Sequence, residues 1–509
     1  MAWVLAIDLG NGGPKVAAVY ADGSLGPVAH RTVSVDIGTD GRATQDAAEW
    51  WSGLTDAIRE VASQMPASEA RAIGITGQWG STVPVDDRGE PVGPVLLWAD
   101  TRARRYMKDV IGGPVSIQGF APQKVLPWIR LTGGAPTPSG ADPTGHSLLL
   151  QRDMAEEYAR SRWLLEPVDY LGMRLTGRAA ATPASMILSW LTDNRIGAEP
   201  RYVDSLVRKA RRDPGRLPPL VPMGSVIGSL LPEVAEATGL AEGLPVVAGL
   251  PDLHAAVLGS GAIEPYATHV TVSTTAWISS RVPFKRTDVL HSMASVPGLD
   301  ASLPVVANNQ EIGGGALRWL REQVIDADYA DLTAQAATAP AGCEGTMFAP
   351  WLNGERSPVE DKDVRGAFVG LSLRTDRAMM IRAVMEGVAL NARWLFDTYE
   401  KFCKRRIGSV RILGGGAQSD LWCAIYAGVL DRPVEQVANP RDAQLIGAAL
   451  WALVSLGEMT LPEAAARVRV AQVFDPAQCD REVYQEAYAD YRGLYKRLKG
   501  LGRASRPRG

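Results

Sequence analysis

The chain is poor in cysteine. Its 509 residues include four: Cys343, Cys403, Cys423 and Cys479, and none forms a C-x-x-C pair. That spacing argues against a disulfide scaffold or a zinc ribbon and fits a reducing cytoplasm. No uninterrupted apolar run is long enough to span a bilayer, and the run from Leu445 to Leu456 reads as a buried helix. The opening Met1 to Asp8 has no basic stretch and soon meets a charge, so it does not read as a signal peptide. The formal net charge is −3, which gives no footing for nucleic acid or an anionic membrane as a partner. The short basic tail Arg503 to Arg508 reads as a frayed, solvated terminus. Neither a Walker A motif nor a G-x-G-x-x-G fingerprint occurs, so nucleotide binding by either route is not expected.

What is present alternates between strands and helices. Val4 to Ile7 and Lys15 to Tyr20 are apolar runs flanking the glycine-rich Asp8 to Pro14. Trp50, Leu54, Ala57, Ile58 and Val61 recur at helical steps. Ala72 to Thr76 and Leu244 to Ala248 read as strands, and Leu231 to Gly239 as a helix. Ile129 to Gly145, rich in Gly, Pro and Thr, reads as a surface loop or insertion. The second half repeats the opening theme. His269 to Val272 and Ala276 to Ser279 flank the polar turn Ser273-Thr274-Thr275. Helices follow near Gly314 to Val324 and Asp376 to Phe402. The strand Val410 to Leu413 then runs into Gly414-Gly415-Gly416-Ala417, and a last strong helix spans Asp442 to Leu456. The alternation argues for an α/β chain. One hairpin with a small polar loop in each half suggests a duplicated domain around a cleft.

Five segments carry candidate chemistry. In the Asp8 to Lys15 loop, glycines let backbone N–H groups approach a phosphate. Asp8, at a strand end, suits Mg²⁺ held partly through water, and Lys15 suits phosphate; a plain hairpin turn is an equal reading. Asp252 follows an apolar strand and a Gly-Leu-Pro break, where α/β clefts present reactive groups. It can take a hydroxyl proton during phosphoryl transfer, or simply cap the next helix. His254 reads as a packing or hydrogen-bonding residue. The triple glycines Gly313 to Gly315 and Gly414 to Gly416 open helices, whose N-termini favour phosphate and whose flat backbone accepts an adenine ring, although close packing is the simpler alternative. Gln78, Trp79 and Gly80 follow a strand and combine amide, indole and open space, a mixture that suits a polyol or a packed turn.

In order and spacing, these segments resemble the FGGY carbohydrate kinases, most closely their xylulokinase-like branch, from about Val4 to about Gly457. Gly74-Ile75-Thr76-Gly77-Gln78 and Gly93 to Arg102 are similar to the family's substrate-side segments. Pro251-Asp252 falls where the family has its catalytic Asp. Phe348 to Pro358 and Gly414 to Ser419 match family signatures. The resemblance implies an actin-like (ribonuclease H-like) ATPase fold of two duplicated domains with a central cleft. Residues 1–248 would bind the sugar, 249–457 would bind ATP, and 458–509 would form a helical extension with the basic tail.

It also implies an ATP-dependent phosphotransferase acting on a ketose or polyol with Mg²⁺. A homodimer is an open assembly state. Asp252 would be the base and would share Mg²⁺ with Asp8. Gln78, Trp79, Gly80 and Asp252 would face the sugar. Asn11, Gly12, Lys15, Ser273, Thr274 and Thr275 would lie near the phosphates, and Gly314, Arg318, Gly415, Gly416, Ala417 and Asp420 near the adenosine. Many xylulokinases have Gln-Met-His where this chain has Gln78-Trp79-Gly80, so Gly80 is expected to leave room where relatives place an imidazole. Asp252-Leu253 replaces Asp-Asn, Asn11-Gly12 replaces a hydroxyl pair, and Ser273 stands where Gly is common. Another pentulose, a heptulose or a sugar alcohol is therefore an alternative acceptor, and a non-catalytic sugar or nucleotide sensor a further one.

Overall fold

The apolar runs become the central strands of two sheets. The computed structural model describes residues 1–116 and 119–501; the basic tail from Arg503 lies outside the described residues. In the first lobe, β1 (Trp3–Gly10) turns into antiparallel β2 (Gly13–Tyr20), which pairs with β3 (Leu25–His30). The helix α1 (Ala47–Ala62) is capped by Asp46, whose carboxylate accepts from Ala48 N at 2.8 Å. β4 (Ala70–Gly77) runs parallel to β1. The strand β1 is buried on both faces, and its alternation divides the core. Leu5, Ile7 and Leu9 pack with Trp50, Leu54 and Ile58 of α1, each such side chain contributing about 1.5–3 kcal/mol. Val4 and Ala6 point into a different cluster on the opposite face.

Between Ile129 and Gly145 the structure differs from the surface loop expected. Helix α2 (Pro122–Thr132) continues to Thr132 and α3 (Pro143–Asp153) starts at Pro143. None of the residues 131–145 is exposed. The second lobe covers the connection: Lys285 Nζ donates to Leu131 O at 2.6 Å and Thr287 Oγ1 to Gly133 O at 2.7 Å. Gly, Pro and Thr predict irregular backbone, but composition does not say what lies on top of it.

The first sheet is completed by β5 (Val226–Ser229), β6 (Pro245–Val247) and the short β7 (Leu250–Pro251), from which the chain enters α4 (Asp252–Gly259). The second lobe opens with the hairpin β8 (Thr268–Val272) and β9 (Ala276–Ser280), followed by α5 (Gly315–Gln323) and the long α6 (Arg377–Cys403). Next come β10 (Val410–Leu413), α7 (Asp420–Leu430), β11 (Val434–Val437) and α8 (Ala443–Ser455). The edge strand β12 (Val470–Phe474) closes the sheet, and α9 (Arg481–Leu498) buries Tyr484, Tyr488 and Tyr491 in this lobe's core.

The duplication is explicit in the sheets. The order β2-β1-β4-β6-β5 is repeated as β9-β8-β10-β11-β12. Each series runs antiparallel, parallel, parallel, antiparallel. This is the actin-like fold. Helices α4 and α8 pack on each other, and α8 also lies on β1 and β4. Glycine makes that approach feasible. A Cβ on Gly74 would stand 2.4 Å from Ala448 O, one on Gly259 1.8 Å from Ala443 O, and one on Gly447 2.0 Å from Ala255 O.

Candidate active site

Parallel strands end together, and that brings the acidic residues together. Asp8 pairs in register with Thr76, Thr76 with Leu250, and Gly77 with Pro251. Asp8, Gln78 and Asp252 therefore emerge along one edge of the first sheet. Gln78 N donates to Leu9 O at 2.8 Å. Asp252 opens α4, and its Oδ1 accepts from its neighbour Leu253 N at 2.7 Å. Burial and the charge of Asp8 push the Asp252 carboxyl up to about 7. Burial also raises Asp8, against the pull of Lys15. A cation beside two buried carboxyls raised in this way would favour their charged forms.

The second lobe presents a matching edge. Thr271 pairs with Leu413, so Ser273 to Thr275 and Gly414 to Gly416 leave adjacent parallel strands side by side. The start of α5 is fastened beneath the first of these turns: Gly314 N donates to Ser273 O at 2.6 Å and Gly315 N to Thr274 O at 3.1 Å. A cavity of about 2110 Å³ separates the two edges. Single ligand pockets usually occupy about 300–1,000 Å³, so this cleft has room for two substrates.

Most of the expected site residues line this cleft. On the first lobe these are Asp8, Asn11, Gly12, Lys15, Gln78 and Trp79. Asp252 stands on the same lobe, and on the second they are Ser273, Thr274, Thr275, Gly314, Arg318, Gly415, Gly416 and Asp420. Gly415 faces open space, whereas a Cβ on Gly416 would meet Val272 at 2.6 Å. Lys15 spans the lobes, donating to Asp442 Oδ1 at 3.0 Å and to Arg441 O at 3.3 Å.

Two expected residues are elsewhere. Ala417 is buried in the second core, behind the glycine loop, where its carbonyl accepts from Gln436 Nε2 at 2.8 Å. Gly80 is turned away from the cleft, and the room expected beside it is filled. Its φ is +82°, its N–H donates to Glu166 Oε2 at 2.9 Å, and a Cβ there would stand 2.8 Å from Leu188. Trp79 uses its indole N–H on Ser185 O at 3.2 Å and stands edge-on to the buried His254 at 6.0 Å. His254 in turn bonds the Pro297 carbonyl at 2.6 Å.

A further group was missed as individual residues, although the segments Gly93 to Arg102 and Phe348 to Pro358 contain most of it. Trp98 Nε1 donates to Asn11 Oδ1 at 3.1 Å, and the Arg356 guanidinium lies over the Trp98 ring at 4.6 Å. Arg356 Nε also donates to Glu311, which accepts from Asn353 Nδ2 at 2.8 Å. Behind them the buried Glu355 accepts from Glu311 N and Arg356 N, each at 2.9 Å, and from Asn391 Nδ2 at 2.6 Å. The signal available in sequence was the density of Asn, Glu and Arg inside an otherwise apolar, glycine-containing segment.

Known proteins share this fold. The model for the FGGY family of carbohydrate kinases, N-terminal domain, matches residues 3–129, and that for the C-terminal domain matches residues 275–456. The chain is 27% identical to a xylulose kinase of Staphylococcus epidermidis, covering 98% of this chain and 97% of the relative. Its structure is similar to that of xylulose kinase from Rhodospirillum rubrum, with a TM-score of 0.80 and 26% identity over 98% of this chain and 99% of that one. It is also similar to ligand-bound xylulose kinase from Lactobacillus acidophilus, with a TM-score of 0.84 at 20% identity over 99% of each chain, which speaks for the fold alone. Among the described residues, no helix is long and apolar enough to cross a membrane. The chain belongs to the FGGY family of carbohydrate kinases and is an ATP-dependent sugar kinase.

Proposed function

We propose that the enzyme transfers the γ-phosphoryl group of ATP to a terminal hydroxyl of a neutral ketose or polyol, with Asp252 as the base. The observation that carries this reading is the shared edge of Asp8, Gln78 and Asp252, facing the Ser273 and Gly414 turns across one cleft. The adenosine side is formed by Gly314, Arg318, Gly415, Gly416 and Asp420, and the phosphates lie toward Asn11, Gly12 and the Ser273 to Thr275 turn. The hydroxyl oxygen forms a bond to the γ-phosphorus as the bond to the bridging oxygen of ADP breaks. The hydroxyl proton passes to Asp252, which acts in its ionised form.

Mg²⁺ binds through one or two carboxylates together with substrate phosphates and water. The carboxyls of Asp8 and Asp252, each raised by burial, meet that requirement, and the ion would neutralise phosphate charge there. Two of the cations lining the cleft are already paired: Lys15 with Asp442 and Arg356 with Glu311. That supports an uncharged acceptor over a sugar acid. The xylulose kinases similar to this chain favour a pentulose, while Trp79 in place of the usual Met keeps a heptulose or sugar alcohol in view.

An ADP-release screen over ketoses, aldoses and polyols, with Asp252→Asn as control, tests the assignment. Acceptor-dependent turnover should fall about 10²- to 10⁴-fold in the variant, with ATP binding retained. Wild-type kcat in Asp252→Asn would remove Asp252 from its role.

A further inference from the structure

Opposite Gln78 and Trp79, the acceptor end of the cleft has a wall built by the second lobe. There β9 pairs antiparallel with the segment 305–310. The bridges Ala276–Gln310 and Arg281–Val305 obey one register, which sets Trp277 opposite Asn309. Opposed residues of an antiparallel pair send their side chains to the same face, about 4.5–5.5 Å apart at Cβ. That face is turned toward the first lobe. On it Trp277 and Val305 are buried in the cluster that holds Leu253 and Val257 of α4, with Ala307 packed against it. Ile278 and Val306, on the other face, are buried in the second lobe's own core. Asp252 opens α4, and β9 packs against that helix. Trp277, Ala307 and Asn309 all line the cleft.

The polar neighbours of this pair are committed. The Asn308 amide bonds Ile278 through both its oxygen and its nitrogen, and Gln310 Nε2 donates to Asn391 O at 2.8 Å. Trp277 and Asn309 differ. The Trp277 indole N–H and the Asn309 Oδ1 are buried, and neither has a hydrogen-bond partner. A donor and an acceptor thus stand on one face, side by side along the ladder, without bonding each other. Buried polar groups left unpaired cost free energy. A sugar hydroxyl both accepts and donates, so a single oxygen satisfies both groups. A hydrogen in its place satisfies neither.

We propose that Trp277 and Asn309 are specificity residues that read one hydroxyl of the acceptor from the second lobe. That hydroxyl accepts from Trp277 Nε1 and donates to Asn309 Oδ1, while Asp252 and Gln78 meet the end that is phosphorylated. The acceptor is therefore a polyhydroxylated chain that needs a hydroxyl on a carbon away from the phosphorylated one. This rests on the kinase reading above and deepens it by naming the residues that select the acceptor and the group they select.

The test is a deoxy scan in the ADP-release assay. D-xylulose, D-ribulose, xylitol and D-arabinitol are each compared with their monodeoxy derivatives, in wild type, Trp277→Phe and Asn309→Leu. Each substitution deletes the hydrogen-bonding atom and keeps the side chain close in size. In wild type, loss of one hydroxyl away from the phosphorylated carbon should lower kcat/KM about 10- to 100-fold. Both variants should lower kcat/KM for the parent and bring that penalty toward unity, at the same carbon in each. The KM for ATP and the penalties at other carbons should be unchanged. A residue that only shaped the wall would weaken parent and deoxy derivative alike. A wild-type scan with no such penalty, or a penalty undiminished in the variants, overturns the roles of Trp277 and Asn309 and leaves the kinase assignment in place. No turnover with any acceptor, in protein that still binds ATP, overturns both. Either variant decides the question if the other does not fold.

Discussion

Arg356 of the second lobe lies 4.6 Å from the centre of the Trp98 ring of the first, and so ties the two walls of the cleft together. The contact is braced at both ends, by Asn11 on the indole and by Glu311 on the guanidinium. A cation–π contact contributes about 0.5–2 kcal/mol, so Arg356→Ala should raise the acceptor KM by about 2- to 30-fold. It should also increase ATP hydrolysis in the absence of acceptor, because a looser cleft admits water. Steady-state kinetics with and without acceptor measure both effects. Unchanged KM and unchanged background hydrolysis would mean that the stack does not hold the lobes.

Asp252 should leave a mark on stability as well as on rate. Its carboxyl is raised to about 7, chiefly by burial and then by Asp8, from an ordinary value of 3.8. Between those two values the folded protein keeps a proton that the unfolded chain has released. The stability contributed by that proton is full below the unfolded value and is lost as pH rises through the folded one. Asparagine does not ionise and escapes the loss. In metal-free protein, the melting temperature of Asp252→Asn relative to wild type should therefore be higher at about pH 8 than at about pH 5. An equal difference at both pH values would show that Asp252 is not raised.

Adjacent glycines in the Gly414 loop should behave differently. Gly415 faces open space, so Gly415→Val should fold normally and raise the KM for ATP by blocking the proposed adenosine surface. At Gly416 the added carbon meets Val272 at 2.6 Å and Trp422 at 3.2 Å. Gly416→Val should lose about 1–3 kcal/mol of stability through overpacking. Thermal melts and ATP titrations separate the two effects. A folded Gly415→Val protein with wild-type ATP affinity would argue against nucleotide at this loop.

Position 80 should not accept the imidazole found in many related kinases. With φ at +82° and Leu188 in the way, Gly80→His should cost about 1–3 kcal/mol from backbone strain alone. Trp79→Met, without that strain, should fold and alter acceptor preference more than ATP use. Chemical denaturation and the acceptor panel measure these outcomes. Wild-type stability in Gly80→His would show that the turn is free to adapt.

Much of the site was legible one segment at a time. Asp8 and Asp252 could be read because each ends a buried strand, and strand ends of α/β sheets are where reactive groups gather. The glycine turns could be read because a missing side chain is visible in any sequence. Other features were not legible. The Ile129 to Gly145 segment looks like a surface loop because its composition describes its backbone and not its cover. Ala417 belongs to the same motif as Gly415, yet it faces the core, since successive residues of a short helical turn point in different directions. Trp98 and Arg356 could be read only as parts of motifs, because neither segment contains the other's partner.

The sequence by itself determined the local elements, their order, the repeated hairpins and the family. All of these rest on interactions between near neighbours or on motifs read along the chain. Tertiary structure alone decided which groups are free to act. It joined Lys15 to Asp442, spent the Trp79 N–H on Ser185, filled the space beside Gly80 with Leu188 and set Asp8 beside Asp252. Burial, hydrogen-bond partners and pKa depend on atoms brought together through space, and those atoms lie far apart along the chain.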